Sequence, residues 1–97
     1  MPHFLVIARD HPQKPERRLG ARAEHLEWAK EQKEVGRLIH AGALLGEDGG
    51  MVGSVLLFQV ESGEALAALL AEDPYAKQNV FESVDITPYK PAPIFQG

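Results

Sequence analysis

The order of apolar and helix-forming segments is the feature that most restricts how this chain can fold. Runs rich in β-branched and aromatic residues predict four strands, at 3–9, 38–45, 54–60 and 80–87. Segments dominated by Glu, Ala, Leu, Lys and Arg predict two helices, at 17–36 and 62–73. The order β-α-β-β-α-β predicts an α+β, ferredoxin-like fold, with a four-stranded antiparallel sheet and both helices on one face.

Serine and proline residues mark the ends of these elements. Ser62 is the predicted N-cap of the second helix, and Asp73-Pro74 is its predicted end, because proline disfavours a helical residue before it. The C-terminal segment 88–97 contains three prolines, which favour an extended arm. Residues 1–97 are enough for one hydrophobic core, so we expect a single domain.

Three of the four predicted strands are apolar on both faces, although the helices can cover only one face. In a chain this short, a second copy is the simplest cover for the other face. We therefore expect a homodimer packed sheet to sheet, with Ile94 and Phe95 of the C-terminal arm as candidate contacts to the partner.

Composition disfavours several classes of function. The net charge is −4 and the basic residues are scattered, so we expect no nucleic-acid partner. The chain has no cysteine, and its histidines lack ligand spacing, so we expect no metal and no cofactor. No apolar run approaches the roughly 20 residues of a membrane helix. The first apolar run is typical of a strand and not of a signal peptide, so a cytoplasmic protein is expected.

The first predicted helix carries polar groups on the side that should face the core. On a wheel at about 100° per residue, that side contains Ala29 but also Arg18, Arg22 and His25. A single histidine there could bond a backbone carbonyl, and the arginines could extend along the sheet edge to water. Burying three such groups without partners would cost a few kcal/mol each. We therefore expect an anion beside them, supplied by a carboxylate of the chain or by a ligand.

Asp73 is the candidate carboxylate. At the C-terminal end of a helix, the helix dipole disfavours an aspartate unless a cation compensates it. In this fold the end of the second helix can approach the first, where Asp73 could accept the imidazole N–H of His25 and fix its tautomer. Tyr75 could then offer its hydroxyl to the same cavity. The alternative is that Asp73-Pro74 only stops the helix.

The chain resembles the YCII-related family over nearly its whole length. Short motifs carry the resemblance: A-R-D at 8–10, R-x-x-H-L at 22–26, G-R-L-I-H-A-G at 36–42, G-S-V at 53–55, D-P-Y at 73–75 and V-F-E-S-V-D-I-T-P-Y at 80–89. The resemblance implies a ferredoxin-like fold, sheet-to-sheet dimers and a similarity to muconolactone isomerases. It also implies an active-site dyad at His25 and Asp73, with Ser54 lining the pocket.

Two functions remain in view from the sequence. The first is an enzyme in which His25 is the general acid or base, oriented by Asp73, for isomerisation or elimination on a lactone or a carboxylate-bearing small molecule. Its predicted substrate-binding residues are Arg18, Arg22, Ser54 and Tyr75. The second is a module that binds a small anion or a protein partner on the same dimeric scaffold without catalysis.

Overall fold

The computed structural model describes residues 1–95, and its elements follow the predicted order with one short helix added before the last strand. The strands are β1 (His3–Asp10), β2 (Leu38–Leu45), β3 (Met51–Gln59) and β4 (Phe81–Tyr89). The helices are α1 (Pro15–Glu34), α2 (Gly63–Leu70) and α3 (Pro74–Lys77), and a 3₁₀ turn (Pro93–Phe95) follows β4. The sheet is antiparallel in the order β2-β3-β1-β4, so the ferredoxin-like α+β fold is confirmed.

The core lies between the helices and one face of the sheet. In the pairing of β1 with β3, Val6 stands opposite Leu56 and Phe4 opposite Phe58, so these side chains share a face. Helices α1 and α2 close over that face and complete the main cluster, whose buried members are Val6, Trp28, Leu38, Leu56, Phe58, Val60, Leu66 and Leu69. A smaller cluster joins α1 to α3 and contains Ala21, Tyr75 and Val80.

The last strand and the arm differ from the prediction. Strand β4 runs to Tyr89, and Pro88 pairs with Phe4 inside the ladder, so the first two residues of the arm predicted at 88–97 belong to the sheet. Proline is tolerated there because β4 is an edge strand, the position to which proline in a sheet is largely confined. Within the arm, Pro93–Phe95 form a 3₁₀ turn, closed by the Phe95 N–H on the Ala92 carbonyl. Residues 96–97 lie outside the described residues.

The second helix also differs from the prediction. Ser62 caps α2 as expected, accepting the Ala65 N–H, but α2 ends at Leu70. Asp73 is the N-cap of α3, where its side chain accepts the Tyr75 N–H and Pro74 occupies the first turn. The premise that Asp73 opposes a helix dipole is therefore wrong, because a carboxylate is favourable at a helix N-terminus.

The other face of the sheet carries a central apolar strip that no helix covers. Leu5 pairs with Leu57 and Ile7 with Val55, and all four side chains are half-buried. These four side chains shield one another. Charged and polar neighbours of the strip on the same face include Arg9, His40 and Asp85. The homodimer expected on this face stays a prediction.

Candidate active site

Helix α1 delivers three of the predicted site residues to one cavity. Arg18, Arg22 and His25 follow the i, i+4, i+7 spacing that places side chains on one side of a helix. Arg18 and His25 are buried, whereas Arg22 is exposed. The cavity has a volume of about 240 Å³ and is lined by Arg18, Arg22, His25, Leu26, Ala29, Ala41, Gly42, Ala43, Met51, Ser54, Leu56 and Tyr75.

The His25 imidazole is fixed from behind by Asp73. The distance from Nδ1 of His25 to Oδ1 of Asp73 is 2.7 Å, and the same oxygen accepts the Tyr75 backbone N–H at 2.9 Å. Asp73 is fully buried, and an ionised carboxylate can only accept hydrogen bonds, so the Nδ1 proton of His25 is the one that lies between the two groups. The geometry thus selects the tautomer whose Nε2 carries a lone pair when the ring is neutral.

Aromatic packing fixes the plane of the same imidazole. The rings of His25 and Tyr75 stack with centroids 3.8 Å apart and an interplanar angle of 11°, and the Trp28 ring lies 6.0 Å away. Among the described residues His25 Nε2 has no hydrogen-bond partner, and it is not one of the atoms sealed inside the protein. His25 therefore presents Nε2 to the cavity as its available proton acceptor or donor.

Arg18 is paired with a carboxylate of the chain, one of the two alternatives expected, but the sequence did not identify Asp10 as that partner. Its Nε donates to Oδ2 of Asp10 at 2.6 Å, and one terminal nitrogen donates to Oδ1 of Asp10 at 2.8 Å and to Oγ of Ser54 at 2.9 Å. Burial alone would lower the pKa of Arg18, but the hydrogen bond and the charge of Asp10 hold that pKa above its usual value. The only sequence signal for Asp10 was its place in the A-R-D motif at the end of β1.

A glycine allows β3 to bring Ser54 to this pair. A Cβ atom at Gly53 would collide with the Ala8 carbonyl oxygen and with the side chain of Leu44, so no larger residue fits without a shift of the strands. Ser54 then pairs with Ala8 on the helix-covered face and is buried beneath α1. The Gly-Ser step thus has a packing reason as well as a place in the cavity wall.

Tyr75 is a buried residue of the cavity wall. The guanidinium carbon of Arg18 lies 4.5 Å from the ring centroid of Tyr75, within the range of a cation–π contact. Burial raises the pKa of the Tyr75 phenol, and the nearby positive charges of Arg18 and Arg22 partly oppose that shift. The phenol therefore keeps its proton at neutral pH and remains a possible hydrogen-bond donor.

Arg22 differs from Arg18 in both exposure and pairing. It lines the cavity, and within residues 1–95 it forms no ion pair or hydrogen bond. An unpaired guanidinium beside a partly apolar cavity can bind a carboxylate or an enolate through two parallel N–H bonds. Of the two predicted anion-binding arginines, Arg22 is the one whose charge remains unmatched.

In the part of the chain that the structure describes, no group of three or more His, Cys, Asp or Glu side chains is placed to hold a metal ion. No helix within residues 1–95 combines the length and apolar character needed to cross a membrane.

Comparison with known proteins identifies relatives that span most of this chain. The family model described as the YCII-related domain matches residues 2–90. The protein YciI of Escherichia coli is 32% identical over 93 residues, covering 90% of this chain and 95% of the relative. The derivative of benzaldehyde biosynthesis cluster protein C of Emericella nidulans is 38% identical over 81 residues, covering 76% of this chain and 83% of the relative.

Solved structures resemble the fold to different degrees. The 5-chloro-2-hydroxyhydroquinone dehydrochlorinase of Burkholderia phenoliruptrix, solved in complex with 2,5-dihydroxybenzoquinone, superposes with a TM-score of 0.84 and 25% identity, covering 93% of this chain and 95% of that chain. The protein Atu4242 of Agrobacterium tumefaciens superposes with a TM-score of 0.55 and 18% identity, covering 96% and 95% of the two chains, and supports the fold alone.

Proposed function

The chain belongs to the YCII-related domain family, and from that membership and the geometry of the cavity we propose that it is a small-molecule enzyme. In this proposal His25 is the general acid or base and Asp73 orients it. The reaction is proton transfer next to a carbonyl, leading to isomerisation or elimination on a lactone or on another small molecule with an anionic oxygen.

The observation that carries the proposal is the division of roles between the two nitrogens of His25. Nδ1 is held by Asp73 at 2.7 Å, while Nε2 has no hydrogen-bond partner within residues 1–95 and His25 lines the cavity. A fixed tautomer with one available nitrogen is the arrangement required of a general base, and Asp73 would stabilise the imidazolium formed after proton transfer.

The proposed chemistry begins when Nε2 of His25 takes a proton from a carbon next to a substrate carbonyl. The electron pair left behind moves onto the carbonyl oxygen and forms an enolate. In an isomerisation the imidazolium returns the proton to a different carbon. In an elimination the carbonyl re-forms and a C=C bond forms as the leaving group departs from the carbon next to the deprotonated one, and the imidazolium passes its proton to the leaving group or to water. Arg22 would stabilise the negative oxygen in either case.

Two of the relatives support a small oxygenated substrate. A dehydrochlorination is an elimination of HCl, and the similar Burkholderia enzyme was solved with a dihydroxyquinone. The name of the Emericella relative associates that protein with the biosynthesis of a benzaldehyde derivative. A cavity of about 240 Å³, whose walls include Ala29, Ala41 and Ala43, suits a small planar molecule of that kind.

The same proposal includes a homodimer formed by the uncovered sheet face. The half-buried strip of Leu5, Ile7, Val55 and Leu57 would become dry against a second copy. Sedimentation equilibrium should give twice the chain mass, and Leu57→Lys should convert the protein to a monomer. A wild-type mass equal to one chain at every concentration would contradict the dimer.

The enzyme proposal is tested by incubating the protein in D₂O with lactones, hydroxyquinones and small keto acids. Proton NMR should detect product formation or deuterium incorporation next to a carbonyl. We expect His25→Ala to abolish the activity and Asp73→Asn to reduce it by roughly 10²- to 10⁴-fold, the range of general acid–base catalysis. His40→Ala, on the other face of the sheet, is the matched control and should leave the rate unchanged.

A non-catalytic anion-binding module is the second candidate, and the unpaired charge of Arg22 favours it equally. The two functions separate in the same experiment. Binding without product, lost in Arg22→Ala but retained in His25→Ala, would support the module. Turnover that survives His25→Ala would contradict the acid–base mechanism.

A further inference from the structure

The contacts of Arg18 restrict the direction in which the hydroxyl proton of Ser54 can point. Arginine has only hydrogen-bond donors, so in its contact with Ser54, at 2.9 Å, the serine oxygen must be the acceptor. The hydroxyl proton of Ser54 cannot point at Arg18. Within residues 1–95 no hydrogen bond donated by this hydroxyl is found, although Ser54 is buried and lines the cavity.

Asp10 makes this arrangement rigid. Its two carboxylate oxygens bind two nitrogens of Arg18 at 2.6 and 2.8 Å, a bidentate geometry that fixes the guanidinium plane. Both side chains are almost entirely buried, and the Tyr75 ring lies against the guanidinium. The terminal nitrogen that reaches Ser54 is therefore held in place by a carboxylate that does not itself line the cavity.

We propose that Asp10 and Arg18 are positioning residues that turn the Ser54 hydroxyl into a fixed hydrogen-bond donor, so that the cavity selects ligands presenting a deprotonated oxygen, such as a carboxylate or an enolate. This inference rests on the proposed function for the identity of the cavity as the ligand site. It adds the ligand's protonation state and gives a role to Asp10. A ligand hydroxyl in the same position could accept from Ser54 only with its own proton turned away, whereas an anionic oxygen has no proton and would accept from both Ser54 and Arg22.

The test uses benzoate as the probe and benzamide as its neutral match in size and shape. We expect saturable NMR shifts at Ser54 and Arg22 with benzoate and at least tenfold weaker binding of benzamide. A crystal of the wild-type protein grown with benzoate should have a carboxylate oxygen within about 3 Å of Ser54 Oγ, the range of a charge-assisted hydrogen bond. Neither measurement requires turnover, so a protein without enzymatic activity could still meet both.

Variants then separate positioning from general stability. Ser54→Ala should weaken benzoate binding by about 10- to 100-fold, as for a lost hydrogen bond to a charged group, and Ser54→Thr should retain most of the affinity. Asp10→Asn should weaken it by about 2- to 10-fold in the wild-type background, but by less than twofold in the Ser54→Ala background, because Asp10 acts through Ser54. The matched controls are Ser83→Ala and Asp85→Asn, two exposed positions on β4.

Three results would overturn the inference. The first is benzoate binding no tighter than benzamide binding, or no binding of either. The second is a loss of affinity from Asp10→Asn that multiplies fully with the loss from Ser54→Ala, which would indicate an independent structural effect. The third is tighter benzoate binding in Asp10→Asn, which would mean that the released Arg18 binds the anion directly.

Discussion

The interface between α1 and the sheet changes chemistry along its length. At the polar end, the residues that meet are Asp10, Arg18, His25, Ser54 and Asp73. At the apolar end, the residues that meet are Trp28, Leu38, Leu56, Phe58 and Leu66. The change occurs within single elements: on one face of β3, Ser54 is followed by Leu56 and Phe58, and on α1, His25 is followed by Trp28.

The two ends satisfy different requirements. At the apolar end, burial stabilises the fold in proportion to the area removed from water. At the polar end every buried group needs a partner, and Oδ2 of Asp73 has none within residues 1–95; at the apolar end, Nε1 of Trp28 has none either. A buried ion pair is often no more stabilising than a hydrophobic pair of similar volume. The comparison indicates that stability comes chiefly from the apolar end, which agrees with the proposal that the polar end serves a ligand.

The largest effect on stability is expected from Phe58→Ala at the apolar end. Phe58 is fully buried in the main cluster, so the substitution should lower the free energy of unfolding by about 3–5 kcal/mol, measured by urea denaturation. Val52→Ala, at a largely exposed position on the same strand, should change it by less than about 0.5 kcal/mol. A loss below about 1 kcal/mol for Phe58→Ala would remove the contrast between the two ends.

The polar end should respond differently to losing one partner and to losing both. Asp10→Ala leaves the Arg18 charge buried and unpaired, and should lower the free energy of unfolding by roughly 3 kcal/mol. The double variant Asp10→Leu/Arg18→Met replaces the pair with apolar side chains and should be about as stable as the wild type, or more stable. Thermal unfolding measures the stability of both variants, and benzoate titration should show binding to the double variant weakened by about 10- to 100-fold, as in Ser54→Ala, because the Ser54 hydroxyl is no longer positioned.

The opposite pattern would break the comparison. If the double variant were less stable than Asp10→Ala, the ion pair itself would be a source of stability, and the polar end would need no functional explanation.

The contrast between the two ends also explains how far the sequence could lead. The fold was predictable because the periodicity of the strands and helices is a local property, and each segment carries it independently. Arg18 and His25 were identifiable since polar residues on an inward helix face conflict with the apolar pattern around them. Such a conflict can be recognised without knowing which residue is the partner.

The carboxylate partners of these residues were harder to predict, because their positions depend on the path of the loops that connect the helices and strands. Asp10 meets Arg18 only through the path of the loop at 11–14, which has no periodicity. Asp73-Pro74 was interpreted as the end of one helix, although aspartate followed by proline is equally typical of the start of another, as α3 demonstrates. Strand β4 continues through Pro88 because it lies at the sheet edge, a position that only the assembled sheet defines.

A smaller effect at the polar end concerns the pH dependence of stability. Burial raises the pKa of Tyr75, so above the usual pKa of about 10 the folded protein keeps a proton that the unfolded chain releases. Stability should therefore fall as the pH rises above about 10, with a slope of up to roughly 1.4 kcal/mol per pH unit from this group. Tyr75→Phe should reduce that slope in thermal unfolding between pH 9 and 11, and Tyr89→Phe, at an exposed ring, is the control. Equal slopes in the wild type and in Tyr75→Phe would refute this.

The smallest effect on stability is expected at Arg22. A substitution there should separate a contribution to ligand binding from a contribution to stability most clearly. Arg22 is exposed and unpaired within the described residues, so Arg22→Gln, which keeps most of the stem, should change the free energy of unfolding by less than about 0.5 kcal/mol. The same substitution should weaken benzoate binding about tenfold and reduce its dependence on salt, because the guanidinium supplies the unmatched charge at the cavity. Lys30→Gln, another cation of α1 outside that cavity, should leave benzoate affinity nearly unchanged. A residue that contributes nothing to folding but much to anion binding is what the division between the two ends requires, and equal benzoate affinities of Arg22→Gln and Lys30→Gln would contradict it.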